Sequence, residues 1–319
     1  MKQHTISIIG GSGFVGHHLA ARLVQDGHRV RVLSRRRERH RELLVLPTLE
    51  LTECNVHDEK ALSQALTGSD VVINLVGILN ERGHNGKGFH RAHVELSETV
   101  VRACRSCGIE RLLHMSALGA DAQHGSSYYQ RSKGEAEDLV HAAKGLRVTS
   151  FRPSVIFGPD DAFFNRFAGL LKRTPLLFPL ACAEAHFAPV YVGDVVECYA
   201  RAIDNPATIG QRYELCGPHQ YSLYQLVQYT ARQLGLKRWL IALPDWASRL
   251  QARVLEFAPG KPFSRDNYDS MQQDNLCDGE FPAVFGIIPR SIESTVPGYL
   301  NPVHQRSRYP RYRASARRN

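Results

Sequence analysis

The chain has 319 residues, 43 % of them hydrophobic, enough for one large or two modest domains with a proper core. No run of about eighteen apolar residues occurs, which excludes a transmembrane helix, and the apolar stretch after Lys2 is shorter than the core of a secretion signal. The net charge is +9, but six arginines lie in the acid-free segment 304–319, which leaves +3 for the rest and argues against nucleic acid as a partner; seven scattered cysteines point to reduced thiols rather than a disulfide framework.

The first predicted strand, residues 6–9, runs into Gly10-Gly11-Ser12-Gly13-Phe14-Val15-Gly16 and then a helical pattern near 14–25. Glycines spaced G-x-x-G-x-x-G between a strand and a helix let the backbone approach a pyrophosphate, and the helix N-terminus supplies unpaired N–H groups. Gly10, Ser12, Gly13, Phe14, Val15 and Gly16 are therefore candidate cofactor contacts. A second strand, 29–33, ends in Ser34-Arg35-Arg36-Arg37, with no carboxylate before Glu38. An acid at this point accepts the 2′-OH of NAD, whereas a cation receives the 2′-phosphate of NADP. Arg35, with Ser34 and Arg36 beside it, makes NADP(H) the expected cofactor and NAD(H) the alternative.

A third strand, 49–53, precedes a helix near 59–67. The fourth, 71–76, ends at Val76 and Gly77, which should flank the cofactor. On the next helix, near 89–107, Phe89, Ala92, His93, Leu96, Val100 and Ala103 form one apolar stripe. Cys104 and Cys107 close that helix as packing cysteines, and no metal site is expected there or at His84, His90 and His93.

The fifth strand, 111–116, ends on Ser116. A helix near 127–144 follows, carrying Tyr129 and Lys133 one turn apart and so on one face. A phenol titrates near 10, and a neighbouring ammonium is expected to lower it toward neutrality. Tyr129 is thus the candidate acid/base, Lys133 its partner and holder of the nicotinamide ribose, and Ser116 the hydroxyl that orients a carbonyl. After a sixth strand, 147–152, Pro153 is expected to close over the nicotinamide.

This alternation defines an α/β protein: a Rossmann-type doubly wound parallel sheet with a smaller, mostly helical C-terminal lobe. Residues 1–160, with about 186–205 (a strand at 190–192 and a helix at 193–204), form the expected NADP(H)-binding domain. Segments 161–185 and 206–303 form the lobe, with helices at 222–234 and 244–256, and 304–319 reads as a basic disordered tail. The apolar run in 163–189 (Phe163, Phe164, Phe167, Leu170, Leu171, Leu176, Leu177 and Phe178) suits a lipid-like or quinone-like ligand better than a sugar diphosphate. The chain is expected to be cytoplasmic, with the tail able to touch an anionic membrane surface or a respiratory complex.

The glycine turn, Ser116 and the Tyr129/Lys133 pair together resemble the short-chain dehydrogenase/reductase superfamily in its extended, atypical branch. A longer ordered series is similar to the NADPH-binding accessory subunits of respiratory complex I and their bacterial relatives, over roughly residues 4–300. It comprises Asn74-Leu-Val-Gly-Ile-Leu79, His93-Val-Glu95, His114-Met-Ser-Ala-Leu-Gly-Ala120, Tyr129 to Lys133 with Gly134-Glu135, Arg152-Pro-Ser-Val-Ile-Phe-Gly158, Phe263-Ser-Arg-Asp-Asn267, Gln273-Asp-Asn275 and Pro297-Gly-Tyr-Leu300. The resemblance implies a tightly held NADP(H), with Asn55 and Val56 at the adenine, Asn55 standing where an Asp is common. It also puts His93 where many members carry the Asn of a proton relay. The implied activity is NADP(H)-dependent oxidation or reduction of a carbonyl/alcohol. The alternatives are a non-catalytic NADPH-holding accessory or assembly protein of a respiratory NADH:quinone oxidoreductase, and a nucleotide-sugar epimerase/dehydratase.

Overall fold

The computed structural model describes residues 2–300, so the basic segment 304–319 lies outside the described residues. Six strands alternate with helices in the first half: β1 (Thr5–Ile9), β2 (Arg29–Ser34), β3 (Leu49–Glu53), β4 (Val71–Asn74), β5 (Arg111–Met115) and β6 (Arg147–Pro153). The helices are α1 (Phe14–Gln25), α2 (Glu59–Leu66), α3 (Lys87–His90), α4 (Leu96–Ser106) and α5 (Tyr128–Ala142). Later come the short strands β7 (Ile156–Phe157), β8 (Leu177–Leu180), β9 (His186–Phe187), β10 (Val190–Tyr191), β11 (Arg212–Leu215), β12 (Tyr221–Ser222) and β13 (Trp239–Ala242). Their helices are α6 (Phe164–Arg173), α7 (Val192–Ala202), α8 (Leu223–Gln233), α9 (Asp245–Leu255), α10 (Arg265–Ser270) and α11 (Ile292–Leu300).

One seven-stranded sheet runs β11-β6-β5-β4-β1-β2-β3, parallel throughout. Every residue of β4 and β5 is buried, as expected for central parallel strands covered on both faces. Period-two alternation sends Ile6, Ile8, Val30 and Val32 to one face, where α1 and α7 add Leu19, Leu23, Val195 and Tyr199. Ile9, Leu33, Val72 and Leu112 serve the other face, against Leu62, Leu66, Val100 and Val140 of α2, α4 and α5. Strand order reverses between β1 and β4, which opens the crevice at the carboxyl ends where such sheets bind ligands.

Three expectations are corrected. First, β11 pairs with β6 (Arg212↔Ser150 to Leu215↔Pro153), although 206–303 was assigned to the lobe. It is an edge strand whose charged Arg212 and Glu214 alternate with Tyr213 and Leu215, so it lacks the apolar run of its neighbours. Residues 190–191 form β10, which among the described residues pairs with β7, outside the main sheet. Second, Cys216 and Cys277 form a disulfide with Cα atoms 6.0 Å apart; the chain crossing that brings them together leaves no mark on their spacing. Cys104 stays a packing thiol, pushed up to about 12 by burial, and the Cys107 thiol donates to the Ser63 carbonyl (3.2 Å). Third, the apolar run of the lobe is largely spent on its own core: Phe164, Leu171 and Phe178 are buried with Leu226 and Val296, Phe163, Phe167 and Leu170 are partly buried against them, and Leu176 and Leu177 stay exposed. Among the described residues no helix is long and apolar enough to cross a membrane.

Candidate active site

At the end of β1, Gly10 has φ +81°, and a Cβ there would lie 3.2 Å from the Leu75 and Val76 backbone. Gly16 carries α1 across the turn so closely that a Cβ would come within 2.5 Å of the Gly11 backbone. Gly13 caps α1 with no side-chain acceptor, so the first N–H groups of the helix have no intrahelical partner and no cap. Ser12 and Gly13 form the outward rim, whereas Phe14 and Val15 pack against the sheet core. The cradle therefore has the shape and polarity for a pyrophosphate.

Beyond β2, Arg35 is exposed and lines an open depression of about 390 Å³ with Glu53, Cys54 and Asn55. Neither Arg35 nor Arg36 forms an ion pair among the described residues. Ser34 differs from the expected outward ligand: it is buried, and its Oγ accepts the Arg36 N–H (3.3 Å), organising the loop instead. Glu53, missed in the sequence, ends β3 beside Arg35 and accepts the Arg37 N–H (3.3 Å). Asn55 accepts from the His57 N–H (3.3 Å) and Val56 is buried in the second core.

The tyrosine–lysine turn sits at the ends of β4 and β5. A capping box at Ser127 and Gln130 starts α5, which fixes Tyr129 and Lys133 in its first turns. Lys133 is buried, and its Nζ donates to the carbonyls of Met115 (2.9 Å) and Val76 (3.3 Å). That ammonium lies directly beneath Gly77, where a Cβ would be 3.1 Å from Nζ. Burial lowers Lys133 to about 8. Ser116 follows β5, with its Oγ buried and unpartnered among the described residues. Pro153 ends β6, its carbonyl accepting from the Leu118 N–H (3.1 Å).

The Tyr129 phenol is not lowered as expected. Burial, with the charge of Asp266 added, pushes it up to about 12, while the ammonium is committed to two carbonyls. Asp266 was not singled out in the sequence as a site residue. It reaches in from α10, where its carboxylate accepts the Tyr128 N–H (2.7 Å) and Tyr129 N–H (3.4 Å) at the start of α5. Burial holds this carboxyl up near 6.

His93 lies in a π-helical turn, Arg91–Glu95, between α3 and α4. Its Nε2 accepts the Ile78 N–H (3.1 Å), so Nδ1 carries the proton and donates to Ser132 Oγ (2.8 Å), which donates to the Tyr129 carbonyl (3.0 Å). Burial pushes its pKa down to about 2. The imidazole is thus a neutral brace between the loop after β4 and the tyrosine helix, not a proton carrier. One turn beyond Lys133, buried Glu137 pairs with Arg152 at 2.9 and 2.7 Å.

A parallel sheet in this strand order, a glycine turn on its first crossover and a Tyr-x-x-x-Lys turn over the crevice define a Rossmann domain of the short-chain dehydrogenase/reductase type. The chain belongs to the NAD dependent epimerase/dehydratase family, whose pattern matches residues 6–216. It is 28 % identical over 296 residues to the NADH dehydrogenase [ubiquinone] 1 alpha subcomplex subunit 9 of Rattus norvegicus, covering 90 % of this chain and 77 % of that one. It is 30 % identical over 243 residues to a ceramide reductase of Caulobacter vibrioides, covering 75 % and 74 %. Among solved structures, Pal from Bacillus thuringiensis superposes with a TM-score of 0.73 at 17 % identity, over 93 % of this chain and 97 % of that one. The fold and the short-chain oxidoreductase-like class follow from these likenesses, as does a nicotinamide dinucleotide as the cofactor class of the family.

Proposed function

We propose that the chain is an NADP(H)-dependent reductase acting on a carbonyl carried by an apolar molecule. The observation that carries this reading is the Ser116 hydroxyl, buried and unpartnered among the described residues, one residue after Met115, whose carbonyl accepts from Lys133. An unmade hydrogen bond in a buried hydroxyl costs about 1–3 kcal/mol, a cost that a substrate carbonyl accepting from Ser116 would remove. When bound, the nicotinamide supplies a hydride to the carbonyl carbon. Ser116 then holds the carbonyl oxygen, and Tyr129 delivers its phenolic proton to that oxygen as charge builds there. Two of the Lys133 N–H donors are held by the Met115 and Val76 carbonyls, which leaves the third for the ribose. The amides of the glycine turn would hold the pyrophosphate, and Arg35 with Arg36 the 2′-phosphate. The ceramide reductase relative supports the apolar substrate class.

A second reading, a nucleotide held as a structural clamp in an accessory protein, draws on two observations. The Tyr129 phenol sits at about 12, a poor acid–base position near neutrality, and the Rattus relative is named as a subunit of a larger enzyme. Denaturing the purified protein and identifying the released nucleotide tests the cofactor. Substrate-dependent loss of NADPH fluorescence on adding long-chain ketones, abolished in Tyr129→Phe, supports the reductase. Stoichiometric NADPH that no carbonyl oxidises supports the clamp, and a protein that neither carries nor rebinds nucleotide refutes both.

A further inference from the structure

The chain has two tryptophans, and both stand on the surface of the lobe, Trp239 at 76 % exposure and Trp246 at 69 %. Trp239 and Ile241 of β13 pair in register with Leu177 and Pro179 of β8, so all four share the outer face of that ribbon. The inner face holds Phe178 and Leu180, which are buried. A two-residue link leads from β13 to α9, whose Gln251 donates to the Pro179 carbonyl (3.2 Å). In α9, Ser248 and Ala252 face the protein. Trp246, Leu250, Val254 and, just past the helix end, Phe257 at 85 % exposure follow the opposite side of the same helical wheel. A helix of a domain that buries one face normally offers polar groups on the other; here the outward stripe is aromatic and aliphatic.

The charges around this face have one sign. Segments 164–180 and 232–254 together carry eight Lys or Arg and a single acid, Asp245, which pairs with Arg249 (3.0 Å). Lys172, Arg173, Lys237 and Arg253 are exposed beside the apolar stripe. Tryptophan at a lipid–water boundary, aliphatic side chains below it and a basic rim are the composition that seats a helix in the headgroup layer of an anionic bilayer. We propose that this face of the lobe, β8, β13 and α9, docks on an anionic lipid surface as a peripheral contact. It is independent of whether the crevice turns over substrate, although α9 also grips α10, since Arg249 donates to Tyr268 Oη (3.0 Å), and α10 carries Asp266 to the tyrosine helix.

The two tryptophans make the full-length protein its own reporter. Vesicles of equal parts phosphatidylcholine and phosphatidylglycerol, containing acyl-brominated phosphatidylcholine, should shift the emission to the blue and quench it. The effect should fade with added salt and vanish for phosphatidylcholine alone. The Leu250→Glu/Phe257→Glu variant keeps both tryptophans and should lose about tenfold or more in vesicle affinity, with its melting temperature and NADPH binding retained. Co-sedimentation with vesicles without quenching would place the contact at the basic segment 304–319 and overturn the proposal. So would a lipid-independent blue shift that grows with protein concentration, which would mark a second copy as the occupant, and so would a full-length protein that ignores anionic vesicles.

Discussion

Asp266→Asn isolates the most costly charge next to the candidate tyrosine. The carboxyl is buried at the start of α5 and held near 6, against 3.8 for the free group. The native protein therefore binds the proton more tightly than the unfolded chain does, and stability falls as pH rises from about 4 to about 6. Integrated over that window, the upward shift costs about 3 kcal/mol near neutrality, since each pKa unit is about 1.36 kcal/mol. About 1 kcal/mol of it is already present at about pH 4.5, so about 2 kcal/mol accrues between there and about pH 7.5. Asparagine keeps an oxygen for the Tyr128 N–H and cannot ionise, so it escapes this loss. Urea unfolding of both proteins at the two pH values should show the variant gaining about 2 kcal/mol on its parent as pH rises, whatever constant offset the amide introduces. In the variant Tyr129 also loses the Asp266 charge that helps raise it, so a turnover profile governed by that phenol should move to lower pH. Parallel stability curves for the two proteins would mean that the carboxylate carries no burial cost, and the reasoning from its burial would fall.

Gly16→Ala would drive a methyl into the Gly11 backbone at 2.5 Å and should abolish nucleotide binding, lowering the urea midpoint as well; unchanged NADPH fluorescence enhancement would contradict the cradle. Arg35→Ala should weaken NADPH by about tenfold or more through loss of a charge-assisted contact while leaving NADH nearly untouched, as read by titration of each. Cys216→Ser opens a covalent loop of 61 residues and should cost up to about 4 kcal/mol on the chain-entropy model, with dithiothreitol lowering the parent to the same unfolding midpoint.

The nucleotide half was legible because its signals are local. A strand, three glycines and a helix fall within residues 5–25, and Tyr129 and Lys133 share one turn of α5. Two features escaped because they depend on distant chain meeting. Asp266 and Tyr129 are 137 residues apart, and the disulfide spans 61. β11 escaped because an edge strand needs only one apolar face, and Tyr213 and Leu215 provide it at alternate positions. The direction of the Tyr129 shift escaped because spacing shows that a lysine is near but not where its ammonium points; two backbone carbonyls hold it. Ser34 was misjudged for the same reason, since its hydroxyl turns inward to the Arg36 N–H.

The seventh strand has a bearing on how the polypeptide acquires its shape during synthesis. Phe151 on β6 stacks against Tyr213 of β11, and both meet Phe285 (5.8 and 4.9 Å). A nascent chain that has emerged only through β6 thus presents an open hydrogen-bonding edge and a bare aromatic flank. The chain must be made through Phe285 before that ring shields the flank. A truncation after residue 160, the natural choice for someone wanting the nucleotide half alone, would freeze the chain at its stickiest stage.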